Sequence, residues 1–333
     1  MKCYNSFILT ILVSLINISF GQNKEEKKAV IGFYNIENLF DTVDDPAIQD
    51  EEFLPQGVNA WTIDKYRQKQ QNMARVIAGI SPDILGVCEI ENRKVLEDLV
   101  MQPELAGKRY QIAHLDMKDP RGVDVGLLYR PAVFRPFSIS SISIKDPEEP
   151  GFKTRDILWV KGLIFSDTLH IAVNHWPSRR GGKEDKRLLA AAVTRRAVDS
   201  VLKINPDAKI VIMGDLNDDP GNRSVRRILV KNEESPDAPE LFNTAESTFK
   251  KGFGTLAYNG TWNLFDQIVI SPALRLNNGL SYVPESFSVF APKWMQETEG
   301  KYAGMPARTF RGNKFNPSGY SDHFPVYIIV RTP

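Results

Sequence analysis

Short β-branched and apolar runs bounded by turn residues dominate the pattern of hydrophobic and polar positions. They are Val30–Tyr34, Ile84–Cys88, Tyr110–Leu115, Val123–Tyr129, Phe137–Ile144, Ile157–Phe165, Leu169–Val173, Ile210–Met213, Gln267–Ile270, Ser286–Phe290 and Val326–Val330. Each has the length of a strand. Helical spacing is rarer. Tyr66, Met73, Ile77 and Ile80 repeat behind the caps Thr62 and Asp64, and Leu188, Ala191, Ala192, Arg195, Val198 and Leu202 mark a long second helix. Asn92–Met101 and Asn222–Val230 predict shorter ones. Strands outnumber helices by more than two to one, whereas an alternating βαβ sheet needs near parity. The expected class is α+β, with two mostly antiparallel sheets packed face to face and helices outside. With no repeat, low-complexity tract or long linker, residues 22–333 are expected to form one domain.

The start of the chain reads differently. Lys2 precedes the apolar stretch Phe7–Phe20, which closes at Ser19-Phe20-Gly21 before a polar run. This is the layout of a secretory signal peptide over residues 1–21. The stretch is shorter than the ~20 residues a spanning helix needs, and Asn17 interrupts it. A secreted or periplasmic protein without stable membrane insertion is expected. Cys3 leaves with the signal, so Cys88 has no internal disulfide partner and reads as a small core residue.

Charge adds an exclusion. Lys and Arg total 42 and Asp and Glu 41, and loss of Lys2 makes the mature chain formally neutral. Binding of nucleic acid by bulk positive charge is therefore out, and any such contact must come from a local patch.

Several strands end in a recurring set of polar residues. The first runs into Asn35-Ile36-Glu37-Asn38, the second into Glu89, and Leu169–Val173 into Asn174-His175-Trp176. Ile210–Met213 leads into Gly214-Asp215-Leu216-Asn217, Asp266 opens one strand, and Asp322-His323 precedes the last. Carboxylates, amides and imidazoles at separate strand tips are how a rigid scaffold gathers a site. These donors suit Mg²⁺, which takes one or two carboxylates with waters and phosphate oxygens. They do not separate Mg²⁺ from Mn²⁺, and they leave room for an accessory Ca²⁺. Zinc would require a His and Cys cluster, and the chain has four His and one mature Cys without ligand spacing. No Gly-x-Ser-x-Gly elbow, P-loop or dinucleotide fingerprint is present.

In order, Tyr34-Asn35, Val87-Cys88-Glu89, Val173-Asn174-His175, Gly214-Asp215-Leu216-Asn217, Phe265-Asp266-Gln267-Ile268 and Ser321-Asp322-His323 resemble the endonuclease/exonuclease/phosphatase superfamily across nearly the whole mature chain. The resemblance implies a four-layer α/β sandwich and a set of roles. Glu89 would be the principal metal ligand, supported by Asn35 and Asp322. Asp215 and Asn217 would position the attacking water. His323, oriented by Asp266, would contact the scissile phosphate, with His175 across the site and Asp124 as its orienting acid. Arg121, Arg179 and Arg180 are the expected phosphate contacts. Glu37 and Glu91 read as solvated loop residues, and His114 and His170 as structural. Trp61, Tyr258, Trp262 and Trp294 are either core or base-stacking residues.

Export together with arginines near the site favours a phosphodiesterase acting on DNA or RNA, as a monomer with no protein partner. A sphingomyelinase-like phospholipase is the alternative, with Val289–Met295 as its membrane-docking segment. A phosphomonoesterase is a third reading, and a non-catalytic binder of phosphate ligands a fourth.

Overall fold

The computed structural model describes residues 26–180, 184–258 and 260–333, so the expected signal peptide and Lys183 lie outside the described residues. The chain first lays down β1 (Lys27–Leu39), β2 (Ile84–Ile90), β3 (Gln111–His114) and β4 (Asp124–Tyr129). It then forms β5 (Phe134–Ile142), β6 (Ile157–Ile164), β7 (Asp167–His175), β8 (Lys209–Asp215) and β9 (Phe242–Asn243). A small hairpin of β10 (Leu256–Tyr258) and β11 (Thr261–Asn263) precedes β12 (Asp266–Ile270). Short strands β13 (Ser281–Tyr282) and β14 (Ser288–Val289), the hairpin β15 (Phe310–Arg311) and β16 (Lys314–Phe315), and β17 (Val326–Thr332) complete the order.

Two sheets result. One runs β13-β17-β1-β2-β4-β3, with β14 also on β17; the other runs β5-β6-β7-β8-β12-β9. Pairing is antiparallel except for β1 with β2 and β7 with β8. Alternation along each strand places one set of side chains between the sheets: Ile31 and Phe33, Leu127, Leu169, Ile171 and Val173, Val211 and Met213, Ile328. Gly86 belongs to this interface. A Cβ there would meet Met213 Sδ at 2.5 Å and Phe33 Cδ2 at 3.1 Å, so these two side chains fill the space a larger residue would need.

The other faces carry helices. Helices α1 (Ile63–Ile80) and α2 (Arg93–Val100) bury Met73, Ile77, Leu96 and Leu99 against Leu85, Val87 and Leu128. Asn92 caps α2 by accepting the Val95 N–H at 3.1 Å. On the far side, the long helix Glu184–Ile204 lays Ala190, Ala191, Val198 and Leu202 over Ile210, Ile212 and Val269. Four layers follow, as the resemblance implied.

Two sequence readings need adjustment. Ser224–Val230 is helical but wound as a π-helix, and buried Arg195 donates to its last carbonyls, Leu229 O at 2.9 Å and Val230 O at 2.8 Å. Those acceptors explain an arginine on the apolar face of the long helix. The strand expected over Ser286–Phe290 pairs only at Ser288–Val289: Glu285 before it takes a left-handed backbone (φ 60°), and Pro325, which accepts the Phe290 N–H, has no N–H to return.

Candidate active site

Strand direction decides where the polar residues gather. β1 and β2 are parallel, as are β7 and β8, so their carboxyl ends share one edge of the sandwich. β12 runs antiparallel to β8 and places Asp266 opposite Asp215; β17 runs antiparallel to β1 and brings His323 to the same edge. His175 lies in register with Asp215. Glu37, Asn38, Glu89 and Asn217 at these tips have positive φ, from 50° to 59°, and the β1–β2 and β2–β4 ladders shift register beside Asn35 and Cys88. Bulges and left-handed residues re-aim side chains out of the pleat, and they concentrate here.

Asp215 is the hub. Its Oδ2 accepts from Asn35 Nδ2 at 3.0 Å and lies 3.8 Å from His175 Nε2 and 3.9 Å from His323 Nε2. Its Oδ1 accepts the Asn217 N–H at 2.9 Å, while Asn217 Nδ2 donates to Trp176 O. Burial, with the Asp266 and Glu89 carboxylates nearby, pushes the Asp215 carboxyl up to about 7 against the pull of His323.

The two imidazoles differ. Burial opposes a charge on His323, yet Asp266 Oδ2 at 2.7 Å from Nδ1 holds its pKa well above the ordinary histidine value. His175 has no such partner. Its buried Nδ1 lacks a hydrogen-bond partner among the described residues, and burial with Arg155 and Arg121 nearby drives its pKa well down. Asp124 therefore does not orient it. Asp124 Oδ2 meets His114 Nε2 at 2.8 Å and Oδ1 accepts the Met117 N–H, which leaves it committed elsewhere. The support for His175 is on its backbone: buried Arg155 donates to His175 O and Trp176 O and pairs with Asp119 at 2.7 Å.

The arginines separate likewise. The Arg179 guanidinium donates to Asn217 O, Asp218, Asp219 and Asn222 and sits 4.4 Å over Phe265. It fixes the Asp215–Asn222 loop instead of facing a ligand. Arg121 and Arg180 line a cavity of about 830 Å³ together with Asn38, Gln49, Glu51 and Glu52. The cavity adjoins the site through Asn38, whose N–H donates to Glu89 Oε2 at 3.1 Å. A smaller cavity of about 280 Å³ near Asp167 and Lys209 lies at the opposite edge of the second sheet.

Glu37 and Glu91 are buried, not solvated. Glu37 accepts the Thr309 N–H and an Arg308 N–H, and burial beside Asp322 raises its carboxyl to about 7. Glu91 accepts the Asp41 N–H at 2.7 Å, and burial raises it to about 8. Lys69 is wholly enclosed, donating to Thr309 Oγ1 and Tyr320 O, and burial lowers it to about 8. Neither Lys69 nor Arg308 stands in a motif that marked it. Lys69 lies inside the α1 apolar pattern, and Arg308 in a segment without periodicity.

The donor set fits a divalent cation. Five carboxylates, Glu37, Glu89, Asp215, Asp266 and Asp322, gather here with Lys69, Arg308 and charged His323 among them. Ligand atoms of Asp215, Asp266 and His323 lie within 4.8 Å of one another. A protonated His323 donates to Asp266, however, and cannot ligate. The partly open carboxylates are Glu89 and Asp322, with side chains 17% and 31% exposed.

The aromatic residues also sort. Trp61 is fully buried; in Val289–Met295, Met295 is buried, Trp294 packs on Phe290 and Tyr320, and Val289, Phe290, Ala291 and Trp294 are partly buried. Trp262 is exposed and lies 6.2 Å from Phe324, next to His323, with ring planes 18° apart. Tyr258 is exposed on the same hairpin.

Comparison with known proteins follows the same line. Search of curated protein sequences gave no match. Among solved structures, an endonuclease/exonuclease/phosphatase family protein from Bacteroides thetaiotaomicron superposes with TM-score 0.58 at 15% identity, over 93% of this chain and 96% of that one. A humanized D. rerio TDP2 gives 0.58 at 15%, over 92% and 99%. A Bacteroides thetaiotaomicron mannosyl-6-phosphatase gives 0.57 at 15%, over 91% and 99%. Residues 30–332 match the Endonuclease/Exonuclease/phosphatase family, to which this chain therefore belongs.

Proposed function

We propose that this chain is an exported, Mg²⁺-dependent phosphodiesterase that cleaves nucleic acid. The family comprises divalent-metal-dependent hydrolases acting on phosphate esters. The observation favouring a nucleic-acid substrate is Trp262, an exposed ring stacked on the residue that follows His323. Such a ring accepts a base beside the scissile phosphate, and stacking tolerates any sequence. A nearly neutral chain, with Arg121 and Arg180 lining the cavity beside Glu51 and Glu52, agrees with local contact instead of bulk attraction.

Glu89 and Asp322 would hold the cation, with Asn35 fixing Asp215 beside them. The bound cation supplies positive charge to phosphate oxygens and lowers the cost of water ionisation. Asp215, with a carboxyl near 7, is matched to accept a proton from the attacking water at neutral pH. At 3.8 and 3.9 Å, His175 Nε2 and His323 Nε2 are too far from Asp215 Oδ2 for a direct hydrogen bond and near enough to share an oxygen lying beside the pair. His323, charged through Asp266, faces the developing negative charge, and neutral His175 donates through Nε2. Arg121 and Arg180 would take a flanking phosphate.

A phosphomonoesterase of a hydroxyl-rich ester is the second reading. Gln49, Glu51, Glu52 and Asn38 line the cavity with groups that suit hydroxyls, and the mannosyl-6-phosphatase shares the fold. Hydrolysis assays with Mg²⁺ or EDTA on DNA, RNA, bis-p-nitrophenyl phosphate and mannose 6-phosphate separate the two. Chelator-sensitive cleavage of DNA or RNA is expected. Turnover of the sugar phosphate alone would overturn the substrate and keep the chemistry.

A further inference from the structure

Arg308 reaches the site from the loop before β15. Its Nε donates to Glu37 Oε1 at 3.2 Å and its Nη2 to Asp322 Oδ2 at 2.7 Å. Both acceptors lie along one edge of the guanidinium. The edge formed by Nη1 and the second Nη2 hydrogen has no protein acceptor among the described residues, and the side chain is 37% exposed. Glu37 is a buried anchor that also accepts the Thr309 N–H, and the partly exposed Asp322 carries its other oxygen 3.9 Å from His323 Nε2. A planar fork is thus held on one edge and open on the other, beside the imidazole that faces the phosphate.

We infer that Arg308 is a further catalytic residue, whose open edge takes two non-bridging oxygens of the scissile phosphate. The inference rests on the phosphoester-hydrolase reading above. Two parallel N–H groups match the spacing of two phosphate oxygens, which a lysine ammonium does not reproduce. Charge on those oxygens changes as the ester bond breaks, so the contact acts on kcat as well as on binding. Glu37 and Asp322 restrict the guanidinium's rotation, so little side-chain freedom remains to be lost when substrate arrives.

The test is calorimetric titration of inorganic phosphate into the purified protein, with saturating Mg²⁺ and again with EDTA, for wild type, Arg308→Ala and Arg308→Lys. Phosphate affinity in Mg²⁺ should fall by ~10-fold or more in Arg308→Ala, and lysine should not restore it. Apparent Mg²⁺ affinity, read by thermal shift, should stay within about twofold in Arg308→Lys, which keeps a cation between Glu37 and Asp322. Unchanged phosphate affinity in folded Arg308→Ala overturns the inference. So does full recovery in Arg308→Lys, because a point charge would then suffice, and so does an inability of wild type to bind phosphate. If Arg308→Ala does not fold, the lysine variant alone carries the test. Arg308-dependent phosphate binding by a protein that hydrolyses no ester would support the inference and retire the proposed function alone.

Discussion

Asp266 Oδ2 lies 2.7 Å from His323 Nδ1, joining the first residue of β12 in one sheet to the approach of β17 in the other. The carboxylate fixes which ring nitrogen carries the outward proton and keeps the ring charged. Asp266→Asn should lower kcat by ~10²–10⁴-fold while substrate KM changes little. It should also bring the His323 pKa down. In the wild type the charged form persists below a raised pKa; in the variant it is lost at lower pH, so the alkaline fall in rate should move to lower pH. Histidine NMR titration and a pH–rate profile check both statements.

In the proposed function, metal dependence turns on Glu89. Mg²⁺ should raise the thermal midpoint of the wild type by binding the folded state, and EDTA should abolish hydrolysis. Glu89→Ala should remain folded, lose the Mg²⁺-dependent shift and lose activity. An active, EDTA-resistant Glu89→Ala protein would refute the metal assignment.

The Trp262 ring should matter for bases and not for chemistry. Trp262→Ala should weaken binding of single-stranded oligonucleotides by roughly 5–150-fold, the range of one stacked base. Hydrolysis of bis-p-nitrophenyl phosphate should be little affected. Equal loss on both substrates would place Trp262 in the scaffold instead.

Inter-sheet packing at Gly86 gives a stability test away from the site. Gly86→Ala forces a methyl against Met213 and Phe33 and should cost about 1–3 kcal/mol, measured by urea unfolding. An unchanged midpoint would mean that the sheets part there at little cost.

Acid stability should report His170. Trp159 Nε1 donates to His170 Nδ1 at 3.4 Å, and burial with nearby Lys161 lowers its pKa to about 4. Between an unfolded value of about 6.5 and the folded value, the unfolded chain binds the extra proton. Stability is thus full above the unfolded value and declines as pH falls through this window. Denaturation midpoints between pH 7 and 4 should decline less steeply in His170→Gln.

Much of this architecture was legible in the sequence because period and punctuation are local. Alternation in Leu169–Val173 and Ile210–Met213 depends on neighbouring residues alone, and a carboxylate just past such a run must emerge at a strand tip. Asn35, Glu89, His175, Asp215, Asp266 and His323 all converge on one edge for that reason. Pairings between side chains are not local. Asp116 is nearer to His114 in sequence, yet the β3–β4 ladder brings Asp124, which was expected at His175, to the His114 ring. Arg179 looked like a substrate contact because its charge is visible, while its four acceptors, from Asn217 to Asn222, lie on another loop. Glu37 and Glu91 looked solvated because the segments that cover them carry no periodic signal.

The antiparallel pairing of Lys27–Phe33 with Val326–Thr332 has a consequence for when the site becomes complete. His323 is delivered only when the last strand docks beside the first, and closing so long a loop is a slow, non-local event. Any folding intermediate or growing chain that still lacks that strand also lacks His323 in place. If the proposed nuclease reading holds, the chain would stay inert inside the cell that makes it until its folding is finished.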